Sequence, residues 1–463
     1  MDTERDGLKE NFRGKSMPQI PSFNHKRRGT KAVKVMLLIP TGMDMNDKLL
    51  HTPEGVRDIY NHECERKLHI QRKLHHVMEL HGFRDIQTPT FEFFEIFSQE
   101  RGTVPQKDMY KFVDRDGNTL VLRPDITPSI ARCAAKYYKE EKLPIRLCYM
   151  GSIFINNTSY QGKLKEATQL GAELINDPTV NADAEMIALT IECLLETGLT
   201  EFQVEIGEAG FFYGLTEEAG FTEEEEAQLR NLIEEKNMFG VEELLSEKEI
   251  SEELKSAFLT LTELFGSTER LLEAKKITKN AKALKAIERL EEVYEILTLY
   301  GLEKYITFDL GMLSQYNYYT GIIFRAYTYG TGDIIASGGR YDNLVGQFGK
   351  EAPAIGIAIL ADQLMSALTR QKITIETNDN NTLILYRKAF QKTAISLANR
   401  FRSQNMNIEL ITFEEGDSLT EYKEYCKRNS IGGILFFEKE DFVEVINSQT
   451  GEINTAKLSE FLA

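Results

Sequence analysis

From Arg57 to Leu80, apolar and polar residues alternate with helical period and no Gly or Pro interrupts them. This predicts a helix that Gly82 ends. Phe83–Glu92 then alternates as a strand around a central Pro89. A proline has no N–H for the ladder, so it suits an edge or an interface. The pattern predicts further strands at Leu120–Leu122, Ile145–Ile155, Ala167–Ile175, Phe202–Ile206, Tyr305–Asp309, Ile322–Tyr329 and Ala354–Ala358. Helices are expected over about 126–140, 181–197 and 283–300, which makes an α+β pattern, a sheet flanked by helices. Residues 215–300 are rich in Glu, Leu and Lys and read as a helical insertion. Within them Leu254, Phe258, Leu261 and Phe265 fall on one helical face, and Glu223–Glu226 reads as the solvated start of a helix. Asn378–Asn381 marks a linker. After it come strand Leu383–Tyr386, helix 388–404, strand Ile408–Phe413, helix 419–428 and strand Gly433–Phe437, a small α/β domain over 379–463.

The chain has 463 residues, room for two or three domains. No stretch approaches the ~18 apolar residues of a membrane-spanning helix. A net charge of −17 disfavours broad binding to nucleic acid. The five cysteines are scattered and show no CxxC spacing, so free thiols in a reducing cytoplasm are expected. All seven histidines lie at or before His81. Ser-His and Cys-His dyads are thereby excluded from the downstream chain. His62, His69, His75, His76 and His81 fall on or next to the first helix, where a solvated face is the plain reading and a metal cluster the sharper one. No GxGxxG follows a strand and no GxxxxGK[ST] is present, so neither a Rossmann nor a P-loop cofactor site is expected. Residues 1–47 mix charge, Gly and Pro with one short apolar run, Val35–Ile39. They read as disordered, or as sequence upstream of a start near Met43 or Met45.

Several motifs then occur in a specific order. Phe83–Glu92 resembles motif 1 of the class II aminoacyl-tRNA synthetases, their homodimer interface. Leu122-Arg123-Pro124-Asp125-Ile126-Thr127 resembles the amino-acid-binding segment of histidyl-tRNA synthetase. Ile145-Arg146-Leu147-Cys148-Tyr149-Met150-Gly151-Ser152-Ile153-Phe154 resembles the start of motif 2, and Gln169-Leu170-Gly171-Ala172-Glu173 follows it. Asn317-Tyr318-Tyr319-Thr320-Gly321 is similar to the histidine-specific loop. Gly338-Gly339-Arg340-Tyr341-Asp342 and Ala354-Ile355-Gly356 resemble the approach to motif 3. The signals run in order through residues 52–370. The resemblance implies a class II synthetase-like core over 48–375, with an antiparallel sheet and flanking helices.

Two families share this set: histidyl-tRNA synthetase and the regulatory subunits of ATP phosphoribosyltransferase. Charge chemistry separates them. Amino-acid adenylation gathers negative charge at a phosphate, and arginine forks stabilise it. Aligned to the synthetases, the three arginine positions hold Ile155, Ser314 and Gln363, and the motif 2 acid is Asn157. One lost contact of this kind lowers rate by ~10²–10³-fold. Arg123, Arg146 and Arg340 remain, at other positions.

The resemblance further implies that the amino-acid pocket is kept. Asp125 would accept the ligand ammonium, with Thr127 and Gln169 beside it. Glu173 would read one imidazole N–H and Tyr319 the other ring nitrogen, flanked by Tyr318. Plainer readings stand beside these: Asp125 and Thr127 suit a helix N-terminus, Gln169 and Glu173 ordinary strand positions, and Tyr318 and Tyr319 the core. Gln161, Lys163 and Glu166 lie in the motif 2 loop, a candidate effector-sensing element or a solvated turn. The C-terminal domain resembles a degenerate anticodon-binding domain, without the basic stripe and aromatics that RNA recognition needs. The expectation is a non-catalytic cytoplasmic regulatory subunit without cofactor. It would dimerise through motif 1 and join short-form ATP phosphoribosyltransferase catalytic subunits in a hetero-octamer, with histidine as effector. The alternatives are an active histidyl-tRNA synthetase and another synthetase-like binding module.

Overall fold

A computed structural model describes residues 49–97, 104–157, 164–313, 318–375, 381–439 and 441–462. The architecture below belongs to Thr52–Ala463, a unit separate from Met1–His51. The expectation for 1–47, and the expected site positions Gln161, Lys163, Ser314 and Asn317, lie outside the described residues.

Helix α1 (Asn61–Leu80) buries Ile70, Leu74, Val77 and Met78 along one face, and Gly82 follows it at φ 78°. The segment expected as one strand, Phe83–Glu92, is two. β1 (Arg84–Asp85) joins the main sheet, and β2 (Phe91–Phe93) pairs in a separate small sheet with β3 (Lys111–Val113) and β4 (Thr119–Leu122). Pro89 sits in the break, where no ladder N–H is required. Helix α2 (Thr127–Tyr137) follows, with Pro128 in its first turn, where a missing N–H costs nothing. The long hairpin β5 (Ile145–Phe154) and β6 (Glu166–Ile175) leads to α3 (Val180–Glu196), capped by Thr179 Oγ1, and to β7 (Phe202–Glu208).

The middle of the chain is helical: α4 (Ala209–Ala219), α5 (Glu223–Glu234), α6 (Met238–Ser246), α7 (Glu252–Thr260), then strand β8 (Phe265–Gly266), α8 (Glu269–Ile277) and α9 (Ala281–Leu299). The acidic run does open α5, where Thr222 and Glu225 form a reciprocal capping box. Phe265 departs from the expected helical face. Leu254, Phe258 and Leu261 are buried, but the helix ends at Thr260 and Phe265 lies half exposed in β8. The core closes with β9 (Ile306–Asp309), β10 (Ile322–Thr328), β11 (Ala336–Arg340), β12 (Ala354–Leu360) and α10 (Ala361–Arg370).

The main sheet has nine strands in the order β1-β5-β6-β12-β11-β10-β7-β9-β8. Most pairs are antiparallel; β1 with β5 and β7 with β9 are parallel. One face packs on α1, α3 and α9, whose Leu74, Ile187 and Leu290 are fully buried. At ~25 cal/mol per Å², each such side chain contributes about 1.5–3 kcal/mol. On the other face, ladder registers set Leu147, Glu173, Gly356, Gly339 and Ile323 in one transverse row. That row carries the site.

The remaining residues form a five-stranded sheet, order β14-β13-β15-β16-β17. β13 (Asn381–Tyr386), β14 (Asn407–Thr412) and β15 (Gly433–Lys439) are parallel and buried on both faces, by α11 (Gln391–Ser403) on one and by α12 (Leu419–Arg428) on the other. β16 (Phe442–Asn447) and β17 (Ile453–Lys457) add an antiparallel extension that sequence reading missed, and α13 (Leu458–Leu462) ends the chain.

Candidate functional site

The cavity on the open face measures about 140 Å³. An engineered cavity of roughly 150 Å³ takes a benzene-sized ring. Asp125, Thr127, Gln169, Glu173, Tyr318 and Tyr319 all line it. Three elements deliver them. Asp125 and Thr127 stand at the start of α2, Gln169 and Glu173 four residues apart on one face of β6, and the tyrosines just ahead of β10. Room is made by missing side chains. A Cβ on Gly356 would collide with the Glu173 carboxylate, and one on Gly339 with the Tyr319 ring.

The polar groups are bonded to one another. Thr127 Oγ1 donates to Glu173 Oε1 at 2.9 Å, and the Tyr341 hydroxyl donates to Glu173 Oε2. Asp125 Oδ1 accepts from the Ile126 N–H at 2.7 Å and the Thr127 N–H at 3.4 Å, so it also serves the helix start. The Tyr318 hydroxyl donates to Asp125 Oδ2 at 3.5 Å. Gln169 Oε1 is buried without a hydrogen-bond partner. An unpaired buried carbonyl costs about 1–3 kcal/mol, so it marks a place where a donor fits.

Burial dominates the electrostatics. It pushes the Glu173 carboxyl up to about 8, against the pull of the Tyr341 and Thr127 hydroxyls. It also raises the Asp125 carboxyl, partly countered by the backbone N–H groups. The Tyr149 and Tyr341 phenols are driven well above their usual value by burial, reinforced by the Glu173 charge. Among the described residues that line the cavity there is no Lys or Arg. Two buried acids therefore face a ring-sized space with hydroxyls and an amide, and with no cation among the described lining residues.

Ile155 is on the cavity wall. Gln363 is not; it sits half buried on the first turn of α10, whereas the lining positions before it, Gly356, Ile357, Ala358 and Leu360, are uncharged. Glu166 is exposed at the start of β6, away from the lining. Each remaining arginine is engaged in structure. Arg123 donates from Nε to Ser152 O at 2.8 Å and from Nη1 to Thr88 O at 2.9 Å, tying the break between β1 and β2 to β5. Arg146 grips both carboxylate oxygens of Glu185. Arg340 donates from Nε to Asp183 Oδ1 at 2.7 Å, while Arg289 takes Asp183 Oδ2 at 2.6 Å. Tyr341 is the site residue that sequence reasoning missed. It lies inside the Gly338–Asp342 motif, and its alternation with Gly339 carried the signal.

A family model described as Histidyl-tRNA synthetase matches residues 55–364. A protein of Acetivibrio thermocellus named ATP phosphoribosyltransferase regulatory subunit is 42% identical over 413 residues, 89% of this chain and 98% of that protein. One of Ruminiclostridium cellulolyticum with the same name is 42% identical over 396 residues, 86% of this chain and 94% of its own. A Bacillus halodurans structure titled ATP phosphoribosyltransferase regulatory subunit/histidyl-tRNA synthetase superposes with a TM-score of 0.74 at 32% identity, covering 81% of this chain and 96% of that one. Histidyl-tRNA synthetase from Nostoc sp. PCC 7120 has the same TM-score at 20% identity, a likeness of fold.

Proposed function

The chain belongs to the ATP phosphoribosyltransferase regulatory-subunit family, on a histidyl-tRNA synthetase-like fold, and from that premise we propose that it is the non-catalytic regulatory subunit of an ATP phosphoribosyltransferase. A short-form catalytic subunit requires it for the first step of histidine biosynthesis. Histidine bound in the cavity carries the feedback signal.

The observation that carries this reading is a cavity with acceptors for an amino acid and no Lys or Arg in its described lining. Asp125 takes the ammonium, and Glu173 and Tyr319 take the two ring nitrogens. A site that bonds both nitrogens rejects other amino acids, because the wrong ligand leaves buried groups unpaired. Adenylation would need fixed cations at the transferred phosphate. Arg123, Arg146 and Arg340 are committed to structural bonds. Gln363 carries no part of this argument; Ile155 does.

In this reading the protein works in the cytoplasm. It dimerises through the Phe83–Glu92 segment and joins its catalytic partner in a hetero-octamer. Supporting the dimer, the small sheet of β2, β3 and β4 exposes Phe91 and Phe93, each 52% accessible, with Phe112 on the same face. A contiguous apolar strip of this kind marks a contact surface. Histidine regulates if it binds one assembly state better than the other.

Reconstitution tests the proposal. Adding the chain to a short-form catalytic subunit should switch on its activity, and histidine should suppress it. No stimulation overturns the reading. ATP–pyrophosphate exchange with histidine should be absent; clear exchange overturns the non-catalytic part.

A further inference from the structure

A second constellation lies on the opposite side of β5 from the cavity face. β1 pairs with β5 so that Asp85 and Cys148 are direct ladder partners. Helix α1 passes over this corner and sets His75 against both. His75 Nε2 is 2.7 Å from Asp85 Oδ1, and Cys148 Sγ is 3.7 Å from the same oxygen. The three ligand atoms all lie within 4.8 Å of one another. Bonds of ~2.0–2.3 Å in a tetrahedron place ligand atoms about 3.5 Å apart, inside that spread.

We propose that His75, Asp85 and Cys148 form a zinc site that clasps α1 to the edge of the main sheet. The donor set is one imidazole, one carboxylate and one thiolate, a mixture that suits zinc better than the harder magnesium or calcium. The thiol comes from the interior, since Cys148 is fully buried. The other two ligands come from the solvent side, with side chains 27% and 67% accessible. A fourth position is left for water there. The surroundings complete the pattern. Glu79 Oε2 stands 3.8 Å from His75 Nδ1, on the ring nitrogen that the metal would not use. Its charge favours a more basic imidazole, though at this distance it makes no hydrogen bond to the ring. His76 Nδ1 shares Glu79 at 3.7 Å and stays outside the triad.

Binding releases the Cys148 proton to solvent, because the thiolate is the ligand. Without a metal that ionisation is disfavoured: burial, with the Asp85 charge beside it, pushes the thiol up to about 12. A divalent cation offsets both effects, attracting the two negative groups to one point. The structural effect is a cross-link. β1 is only two residues long, and the zinc would tie it to its neighbour strand and to a helix at once.

Cobalt supplies the readout. The full chain is stripped with a chelator and titrated with Co²⁺. One equivalent should give a thiolate-to-cobalt charge-transfer band with tetrahedral d–d absorption, and Zn²⁺ should displace both. Cys148→Ser should abolish the band. His75→Gln, at a partly exposed position, should weaken Zn²⁺ binding at least tenfold in chelator competition. Zinc should raise the Tm of the natural chain by several degrees, and of His75→Gln not at all. A chain that shows no band at stoichiometric cobalt, or a band that survives Cys148→Ser, overturns the proposal, as does unchanged zinc affinity in His75→Gln.

Discussion

Buried acids on and beside the main sheet are completed in opposite ways. Asp183 is fully buried and meets two arginines, Arg340 and Arg289, which offset the burial that raises its carboxyl. Arg340 also donates from Nη1 to Asp177 O at 3.0 Å and from Nη2 to Thr179 O at 3.3 Å, so this knot is satisfied from within the chain. Asp125 and Glu173 are as deeply buried, yet they hold only hydroxyls, an amide and backbone N–H groups. The first arrangement holds the fold. The second leaves room for a positive, N–H-rich ligand. The contrast teaches that an arginine count says little here; what matters is which acid each arginine has reached.

The knot should be the more costly to break. Arg340→Ala leaves Asp183 with one partner and should lower stability by about 3–5 kcal/mol, read as a shift of the urea midpoint. A change under about 1 kcal/mol would remove the distinction between the two groups. On the cavity side, Glu173→Gln should not lower stability near neutral pH, because the amide replaces a carboxyl that burial keeps protonated at a cost, but it should weaken histidine binding by ~10–100-fold in calorimetry, the worth of a charge-assisted bond. It should also relieve histidine inhibition of the reconstituted complex.

The pH dependence sharpens the same point. In the free site Glu173 keeps its proton up to about 8, and binding an imidazole N–H favours the carboxylate. Histidine affinity should therefore fall about tenfold per pH unit from about 8 down to about 6.5, where the ligand's own ring begins to carry a proton. For folding the sign runs the other way. The folded carboxyl lies above its unfolded value of 4.5, so its contribution is complete below that value and is lost as pH rises through about 8. The Tm of the natural chain should drop more between pH 6 and 9 than that of Glu173→Gln. The smallest effect should come from adding what the cavity lacks. Ile155→Arg puts a cation on the wall and should tighten histidine binding by roughly five- to tenfold, because the ligand carboxylate gains a partner. ATP–pyrophosphate exchange should remain absent.

The contrast also shows what a sequence can disclose. Periodic segments were legible: α9 was expected over 283–300 and runs from Ala281 to Leu299, and β6 was expected from Ala167 and starts at Glu166. Motif order pointed to Asp125, Thr127, Gln169 and Glu173 together, and these do line one cavity. What escaped depends on partners distant along the chain. Asp183 reads as a polar residue in a helix, and its bond to Arg340 spans 157 positions. Tyr341 was quoted within a motif, but its hydroxyl meets Glu173 only after β11 and β12 pair. The break at Pro89 was half visible: the proline argued for an edge, while the change of sheet depends on β4, far downstream. β17 was missed because it is short and almost wholly exposed, whereas β16 carries enough apolar residues, Val443, Val445 and Ile446 among them, to have been read as a strand.

The nine-stranded sheet ends on β1 at one side and β8 at the other, and each is two residues long. A free sheet edge is a template on which other chains can stack, and a long flat one seeds fibrils. Here the outermost strand at either margin itself offers a stranger only two residues of backbone, too little to start a ladder. A protein whose work is to assemble with chosen partners is thereby guarded against growing, strand upon strand, with unchosen ones.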